Sequence, residues 1–194
     1  MNVNALKPTL ILALASSAFA AQAQHLMDVR DQSTYFGLFA GRSLKVLGTE
    51  EIRTGIGFLY GYGRPDRRLS FHGIPAQMVY EVYGDFTHSS GVDTNSSTFD
   101  FAVGALAIAR YRTPVEKDHG FYFDIGFGAQ YVSQTSHDLN LNMNTTPMLG
   151  SGYFYPMGKH EAMLGIRLLH ISNGGRKKPN DGQNQLYVLG MIRF

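Results

Sequence analysis

Residues Glu161–Ser172 read EAMLGIRLLHIS, and this stretch decides the fold because its residues alternate in character with a period of two. If this stretch spans a membrane as a strand, Arg167 in its middle has to avoid lipid, so the odd-numbered positions face the interior of the protein. The even-numbered positions on the other face are all apolar, namely Ala162, Leu164, Ile166 and Leu168. A charge facing lipid at the bilayer midplane would cost about 2–4 kcal/mol, so the charge fixes which face points where.

The final strand repeats this pattern. In Gln185–Phe194, Arg193 places Tyr187, Leu189 and Met191 inward, which leaves Leu186, Val188, Gly190, Ile192 and Phe194 facing lipid. The terminal Phe194 on such a strand resembles the assembly signal of outer-membrane barrels.

Strand signals rich in Tyr, Phe, Val, Ile and Gly recur along the chain, and no stretch holds a convincing amphipathic helix. The candidate strands are Thr34–Ser43, Arg53–Tyr62, Pro75–Gly84, Phe99–Arg112, Phe121–Val132, Thr146–Tyr155, Glu161–Ser172 and Gln185–Phe194. Each has roughly ten residues, the length that a tilted membrane-spanning strand requires.

The connections between these strands alternate between short and long. The short turns are Gly63–Arg68, Thr113–Gly120 and Pro156–His160, and the long polar loops are Asp85–Thr98, Ser133–Thr145 and Asn173–Asn184. This asymmetry predicts an all-β fold, an eight-stranded antiparallel transmembrane β-barrel of the bacterial outer membrane. A soluble sandwich or a lipocalin-like periplasmic barrel would explain the strands, but it accounts less well for the composition and for Phe194.

The composition supports an apolar wall. Only 16% of the 194 residues are charged, whereas 22 are Gly, 11 Tyr and 13 Phe; soluble domains carry about 25% charged residues. The absence of cysteine excludes a disulfide scaffold, a thiolate zinc site and a cysteine nucleophile. A net charge of +2 provides no basic surface for nucleic acid, so no nucleic-acid partner is expected.

Residues 1–23, MNVNALKPTLILALASSAFAAQA, predict a secretory signal peptide. Lys7 precedes an apolar stretch, and Ala21-Gln22-Ala23 fits the cleavage pattern, with Ala18-Phe19-Ala20 as a competing site. A membrane anchor is disfavoured because the apolar stretch is too short to span as a helix. We therefore expect residues 24–194 to form the barrel, in the outer membrane of the cell.

Three polar residues fall on the lipid-facing parity near the outer rim: His170, Ser172 and Asn184. His170 and Ser172 would lie about 6–7 Å apart along the strand, and Ser as nucleophile with His as base is the arrangement that acyl transfer uses. The alternative is that these are ordinary polar rim residues. The acidic residues Asp85, Asp93 and Asp138 are expected to be solvated loop charges. The other histidines are expected in turns or loops, namely His72, His88, His119, His137 and His160.

The run HISNGGRKKPNDG at residues 170–182 resembles the signature of the outer-membrane lipid A 3-O-deacylases of the PagL type. The resemblance implies an eight-stranded barrel with its active site on the membrane-facing wall. It implies Ser172 as nucleophile, His170 as general base, and the Gly175 N–H with the Asn180 side chain as oxyanion hole. The basic residues Arg176, Lys177 and Lys178 either meet lipid A phosphates or only keep the loop soluble.

The chain departs from the family at one position. The family places a Glu at the start of the last strand, where this chain has Asn184. The Asn184 amide oxygen can accept a hydrogen bond from the imidazole, but it brings no charge to stabilise an imidazolium. Asp181 is an alternative acid, although its place in the P-N-D-G turn indicates a structural role.

The sequence therefore predicts a serine esterase that hydrolyses the 3-O-linked hydroxyacyl chain of lipid A, with lipopolysaccharide as substrate and outer-membrane lipids as surroundings. No metal or organic cofactor is expected, because Ser, His and backbone donors carry the chemistry. The alternatives are a non-enzymatic small barrel acting in adhesion or envelope integrity, and a lipid A acyltransferase. The oligomeric state, a homodimer included, and the acyl-chain preference stay open.

Overall fold

The structure is a computed structural model that describes residues 32–71, 74–90, 97–112, 119–178 and 180–194. The predicted signal peptide at residues 1–23 lies outside the described residues, as do His72 and Asp93.

The described residues form nine strands. They are β1 (Ser33–Leu44), β2 (Ile52–Phe71), β3 (Ile74–Ser90), β4 (Ser97–Arg112), β5 (Gly120–Val132), β6 (Met143–Thr145), β7 (Met148–Met157), β8 (His160–Ile171) and β9 (Gln183–Arg193). Every pairing is antiparallel, and β1 pairs with both β2 and β9. The remaining long strands pair in chain order, and the β4–β5 pairing completes the ring. The predicted closed eight-stranded antiparallel barrel is confirmed, with β6 as a short addition beside β5.

The second and third strands are longer than predicted. The expected turn at Gly63–Arg68 is wrong, because β2 continues through it to Phe71. It stays in register with β3 as far as Asp66 and pairs again at Phe71, with an irregularity between the two. The first half of the expected loop at Asp85–Thr98 is strand as well. Asp85, Thr87 and Ser89 are buried toward the lumen. Their polarity is typical of loops, but it is equally suited to the inner face of a barrel.

The barrel is apolar outside and polar inside. The outer face exposes large apolar side chains, among them Phe58, Phe101, Phe123, Leu164, Ile166 and Val188. In the lumen Arg167 donates to the two oxygens of Glu81 at 2.5 and 2.9 Å, and Arg110 binds Asp124 at 2.7 Å through two nitrogens. Paired in this way, the buried charges satisfy one another's hydrogen bonds.

The predicted parity holds with one exception on β8. Arg167 is buried and Leu164, Ile166 and Leu168 are exposed. Ala162 shares the outer parity but is buried, because its cross-strand partners Tyr155 and Ile192 are larger and stand on the same face.

Several predicted loop residues lie in strands or are buried. His88 lies in β3 and His160 begins β8. Asp85 is 2% exposed and accepts a hydrogen bond from the Tyr187 hydroxyl at 2.7 Å, so it is not a solvated charge. Asp138 is also 2% exposed, because the loop that carries it packs against loop 45–51.

We call the end of the barrel opposite Ser33 and Phe194 the loop end, and it carries loops 45–51, 133–142 and 172–182. The Asp138 carboxylate accepts from the backbone N–H of Glu50 at 3.1 Å and of Glu51 at 2.9 Å, which ties the first two loops together. The Gly182 N–H donates to the Asp138 carbonyl at 3.2 Å and joins the third. Within the described ranges, no helix has the length and hydropathy needed to cross a membrane.

Candidate active site

His170, the predicted base, and Asn184, the residue expected to accept a hydrogen bond from it, are direct neighbours on two adjacent strands. His170 near the end of β8 and Asn184 near the start of β9 are register partners. Cross-strand partners of this kind have their side chains on the same face, here the outer one. His170 Nδ1 lies 2.9 Å from Asn184 Oδ1, with His170 half-buried and Asn184 buried. The sequence therefore paired these two residues correctly.

The Asn184 amide nitrogen is held on its other side by loop 45–51. Nδ2 donates to the Val46 carbonyl and to Thr49 Oγ1, both at 2.9 Å, and the Asn184 backbone N–H donates to Thr49 Oγ1 at 2.9 Å. A carbonyl can only accept, so Nδ2 has to face Val46 and Oδ1 has to face His170. Nothing in the sequence pattern pointed to Thr49, which lies 135 residues away from Asn184 in the chain.

Ser172 is held just beyond the end of β8 by an isolated bridge to Thr145. The Thr145 N–H donates to the Ser172 carbonyl at 2.7 Å, and the Ser172 N–H donates to the Thr145 carbonyl at 3.1 Å. These bonds keep the backbone extended, so Ser172 follows the parity of His170 onto the outer face. Ser172 is 9% exposed.

Gly182 lies between His170 and Ser172. A Cβ atom at position 182 would stand 3.0 Å from His170 Cε1 and 3.3 Å from Ser172 Cβ. Both side chains therefore border the same small space. The φ angle of Gly182 is +71°, a left-handed conformation that favours glycine. Among the described residues, the Ser172 hydroxyl makes no hydrogen bond to the imidazole.

The two predicted oxyanion donors are available but do not contact Ser172 in the described structure. Gly175 has φ +78° and open space where a side chain would stand, and its N–H has no partner among the described residues. Asn180 Oδ1 accepts from the Asn173 N–H at 3.0 Å, which leaves the Nδ2 group as its free donor.

Two of the three basic residues of the loop are engaged with backbone carbonyls. Arg176 Nε donates to the Asn173 carbonyl at 2.8 Å and another of its nitrogens donates to the Met143 carbonyl. Lys177 Nζ donates to the Asn140 carbonyl at 3.3 Å. These contacts connect loop 172–182 to the 133–142 loop and to β6. For Arg176 and Lys177 they favour a role in loop structure, whereas Lys178 is exposed.

A buried polar network beneath the site was missed by the sequence analysis. Gln183 Nε2 donates to Glu51 Oε2 at 3.0 Å, and the His137 N–H donates to Glu51 Oε1 at 2.9 Å. His137 Nδ1 lies 3.3 Å from Asp138 Oδ1. The hydrogen bond to Asp138 raises the pKa of His137, and burial raises the pKa of Asp138. Asp138 and Glu51 carry no local motif, so their burial follows only from how the loops fold together.

Comparison with known proteins supports the resemblance seen in the sequence. The family model described as lipid A 3-O-deacylase (PagL) matches residues 52–189. A solved structure described as the outer membrane enzyme PagL is 17% identical, with 81% of this chain and 97% of that chain covered and a TM-score of 0.59. Ail, the attachment invasion locus protein of Yersinia pestis, is also 17% identical, with 84% and 98% covered and a TM-score of 0.40. No curated protein sequence matches the chain.

The likeness to the solved PagL structure agrees with the barrel fold, and the family model carries the assignment because its match, residues 52–189, spans most of the chain and includes residues 170–182. This outer-membrane β-barrel belongs to the lipid A 3-O-deacylase (PagL) family.

Proposed function

We propose that the protein is a serine esterase that hydrolyses the 3-O-linked hydroxyacyl chain of lipid A. The observation that carries the proposal is the 2.9 Å contact between His170 Nδ1 and Asn184 Oδ1 on the outer wall of the barrel. It occupies Nδ1 as donor and leaves Nε2 with the lone pair that a general base needs. Ser172 borders the same space, on the same face of the wall.

The proposed reaction proceeds by acyl transfer. His170 Nε2 takes the proton of Ser172 Oγ as Oγ attacks the ester carbonyl, and the Gly175 N–H and Asn180 Nδ2 donate to the oxyanion. The tetrahedral intermediate collapses with cleavage of the ester C–O bond, and the sugar oxygen leaves with the proton from His170. Water, activated by His170, then attacks the acyl-serine and releases the 3-hydroxy fatty acid. The hydroxyl and imidazole approach to hydrogen-bond distance when substrate binds, as catalytic pairs commonly do.

The position of the site on the outer wall suits a substrate that stays in the membrane. Leu168 and Leu186 are cross-strand partners next to the His170–Asn184 pair on the outer face, and they are 37% and 36% exposed. An acyl chain lying against this wall would meet apolar side chains along its length and a polar pair at the level where its ester begins. Neither an inward-facing site nor a soluble one would give a lipid this approach.

The proposal is tested by producing the protein in a bacterial host of defined lipid A and measuring lipid A by mass spectrometry. We expect the loss of one 3-hydroxyacyl chain with the native protein and intact lipid A with Ser172→Ala, in a barrel that still folds. Ser90→Ala is the matched control, because the Ser90 hydroxyl only donates to the Ile52 carbonyl at 3.3 Å on a different part of the wall. A mass gain would indicate an acyltransferase, and unchanged lipid A with the native protein would favour a non-enzymatic barrel.

A further inference from the structure

Loop 45–51, between β1 and β2, reaches the residue that orients the proposed base. Thr49 is 5% exposed and its hydroxyl meets both the backbone N–H and the side-chain nitrogen of Asn184. The inference drawn from this contact rests on the serine-esterase function proposed above. In that function, the Asn184 amide takes the place that a carboxylate holds in a serine-protease triad.

An asparagine in this position faces a problem that an acid does not have. A carboxylate offers an oxygen to the imidazole in either orientation, whereas a rotated amide offers its NH₂ group instead. That orientation would force His170 Nδ1 to accept and would move the proton to Nε2, so the base would be lost. In a serine protease, replacing the triad Asp by Asn lowers turnover by about ten-thousandfold for this reason.

The contacts of Asn184 remove that alternative orientation. Thr49 Oγ1 donates its proton to the Gly182 carbonyl at 3.3 Å, so its lone pairs are directed at the two nitrogens of Asn184. The Val46 carbonyl provides a second acceptor for Nδ2 at 2.9 Å. Rotating the amide would turn Oδ1 toward the Val46 carbonyl and Thr49 Oγ1 and turn Nδ2 toward His170. The hydrogen bonds from Nδ2 to Val46 and to Thr49 would then be lost.

We propose that Thr49 is a positioning residue of the deacylase reaction, and that Thr49 and the Val46 carbonyl together make position 184 selective for an amide. They hold the Asn184 oxygen toward His170 and so keep Nε2 unprotonated. A carboxylate at position 184 would direct its second oxygen at the Val46 carbonyl, where no proton is available.

The loop is itself fixed against the active-site loop. Gly48 has φ +95°, and a Cβ atom there would stand 2.9 Å from the Asp181 carbonyl oxygen. Asp181 therefore meets loop 45–51 through its backbone, while the Nδ1 partner of His170 is Asn184. This close approach holds Thr49 next to Gly182, the residue that borders both His170 and Ser172.

The test uses Thr49→Val, Thr49→Ser and Asn184→Asp in the full barrel. Thr54→Val is the control, because it makes the same substitution at an exposed threonine of β2. The first readout is the ¹⁵N shifts of the His170 ring, recorded in a lipid nanodisc on the Ser172→Ala background. We expect Nδ1 protonated in the parent and in Thr49→Ser, and a population protonated at Nε2 in Thr49→Val. The second readout, with Ser172 present, is deacylation. We expect kcat to fall roughly tenfold in Thr49→Val, the effect of about one hydrogen bond, with KM little changed.

Asn184→Asp is expected to deacylate at least tenfold more slowly than the native protein, although it restores a carboxylate, since a misdirected buried oxygen loses that much or more. A native tautomer and a native rate in Thr49→Val, or an Asn184→Asp rate equal to the native one, would overturn the proposal. Failure of the esterase function itself would look different. The native protein would then leave lipid A intact, or Ser172→Ala would keep full deacylation, while the ring shifts of His170 would still report whether Thr49 sets the tautomer.

Discussion

Arg167 in β8 and Glu81 in β3 meet across the lumen through two hydrogen bonds of 2.5 and 2.9 Å, and both side chains are almost fully buried. The two residues lie 86 positions apart and on strands that are not neighbours in the wall. Their contact therefore links opposite parts of the barrel through its interior.

Removing one member of this pair should destabilise the barrel strongly. Arg167→Met leaves the Glu81 carboxylate buried without its partner, and we expect a loss of about 3–5 kcal/mol in the free energy of unfolding. The double variant Arg167→Met with Glu81→Gln should recover part of that loss, because no bare charge remains. Urea unfolding in lipid vesicles measures both.

The exposed pair of Asp66 and Arg68 serves as the control for that experiment. The Arg68 side chain is 84% exposed, and Arg68→Ala should leave the unfolding free energy close to the native value, because solvent screens the pair. Equal losses in the single and double lumen variants would contradict the explanation by an uncompensated charge.

Gly182→Ala should abolish deacylation and leave the barrel folded. The added methyl group would press on His170 Cε1 at 3.0 Å and on Ser172 Cβ at 3.3 Å, at a backbone angle that alanine adopts poorly. Gly158→Ala isolates the second effect, since Gly158 has φ +63° with nothing within 4 Å of the added atom. Lipid A mass spectrometry together with a thermal unfolding midpoint distinguishes the two variants. Full activity in Gly182→Ala would show that the space between His170 and Ser172 is not used.

Asp138→Ala should release the 133–142 loop from the barrel mouth. The substitution leaves the backbone N–H groups of Glu50 and Glu51 without their acceptor, at a cost of about 1–3 kcal/mol for a buried donor. We expect limited proteolysis to cut this loop faster than in the native protein, while the strands stay protected. His137→Ala is the milder control because the His137 side chain is half exposed. Identical cleavage in Asp138→Ala and the native protein would count against this anchoring role.

The attachment of that loop should weaken as the pH rises. The hydrogen bond to Asp138 raises the pKa of His137, so the folded loop favours the protonated imidazole. The stabilisation is fully present below the unfolded pKa of about 6.5 and is lost as the pH rises through the higher folded value. Burial raises the pKa of Asp138 above its ordinary value near 4.

Amide exchange of residues 133–142, corrected for the intrinsic effect of pH, should therefore show more protection at pH 6 than at pH 8. The difference should disappear in His137→Gln, which cannot be protonated. The effect is small, because solvent screens a pair whose imidazole is half exposed. A pH effect that persists in His137→Gln would assign it to another group.

Local rules were sufficient for the barrel and for the choice of faces. Arg167 and Arg193 have to avoid lipid, and the side-chain period of a strand is two, so one charge settles the orientation of every neighbour on its strand. The same reasoning brought His170 and Asn184 to one face without any tertiary information, and the structure places them 2.9 Å apart. The motif at residues 170–182 and the family model that matches residues 52–189 point to the same family.

The local rules failed for polar residues, because a polar side chain suits both a solvated loop and a buried position inside the barrel. Asp85 and Asp138 carry the composition of loops, yet both are buried, one against the Tyr187 hydroxyl and one under three converging loops. The expected turn at Gly63–Arg68 failed for a related reason, since pairing with β3 from Gly63 to Asp66 outweighs the local preference for a bend there. A single sequence does not distinguish a solvated polar residue from one that fills a lumen.

By itself, then, the sequence indicated the eight long strands and their inner and outer faces, and it brought the residues of the proposed site to one face, because each of these depends on residues no more than fourteen positions apart. Only the closed barrel decided how Asn184 is oriented. The pairing of β1 with β9 brings loop 45–51 to the far end of the chain and places Thr49 beside Asn184. A contact across 135 residues leaves no local periodicity, so ring closure was needed to reveal it.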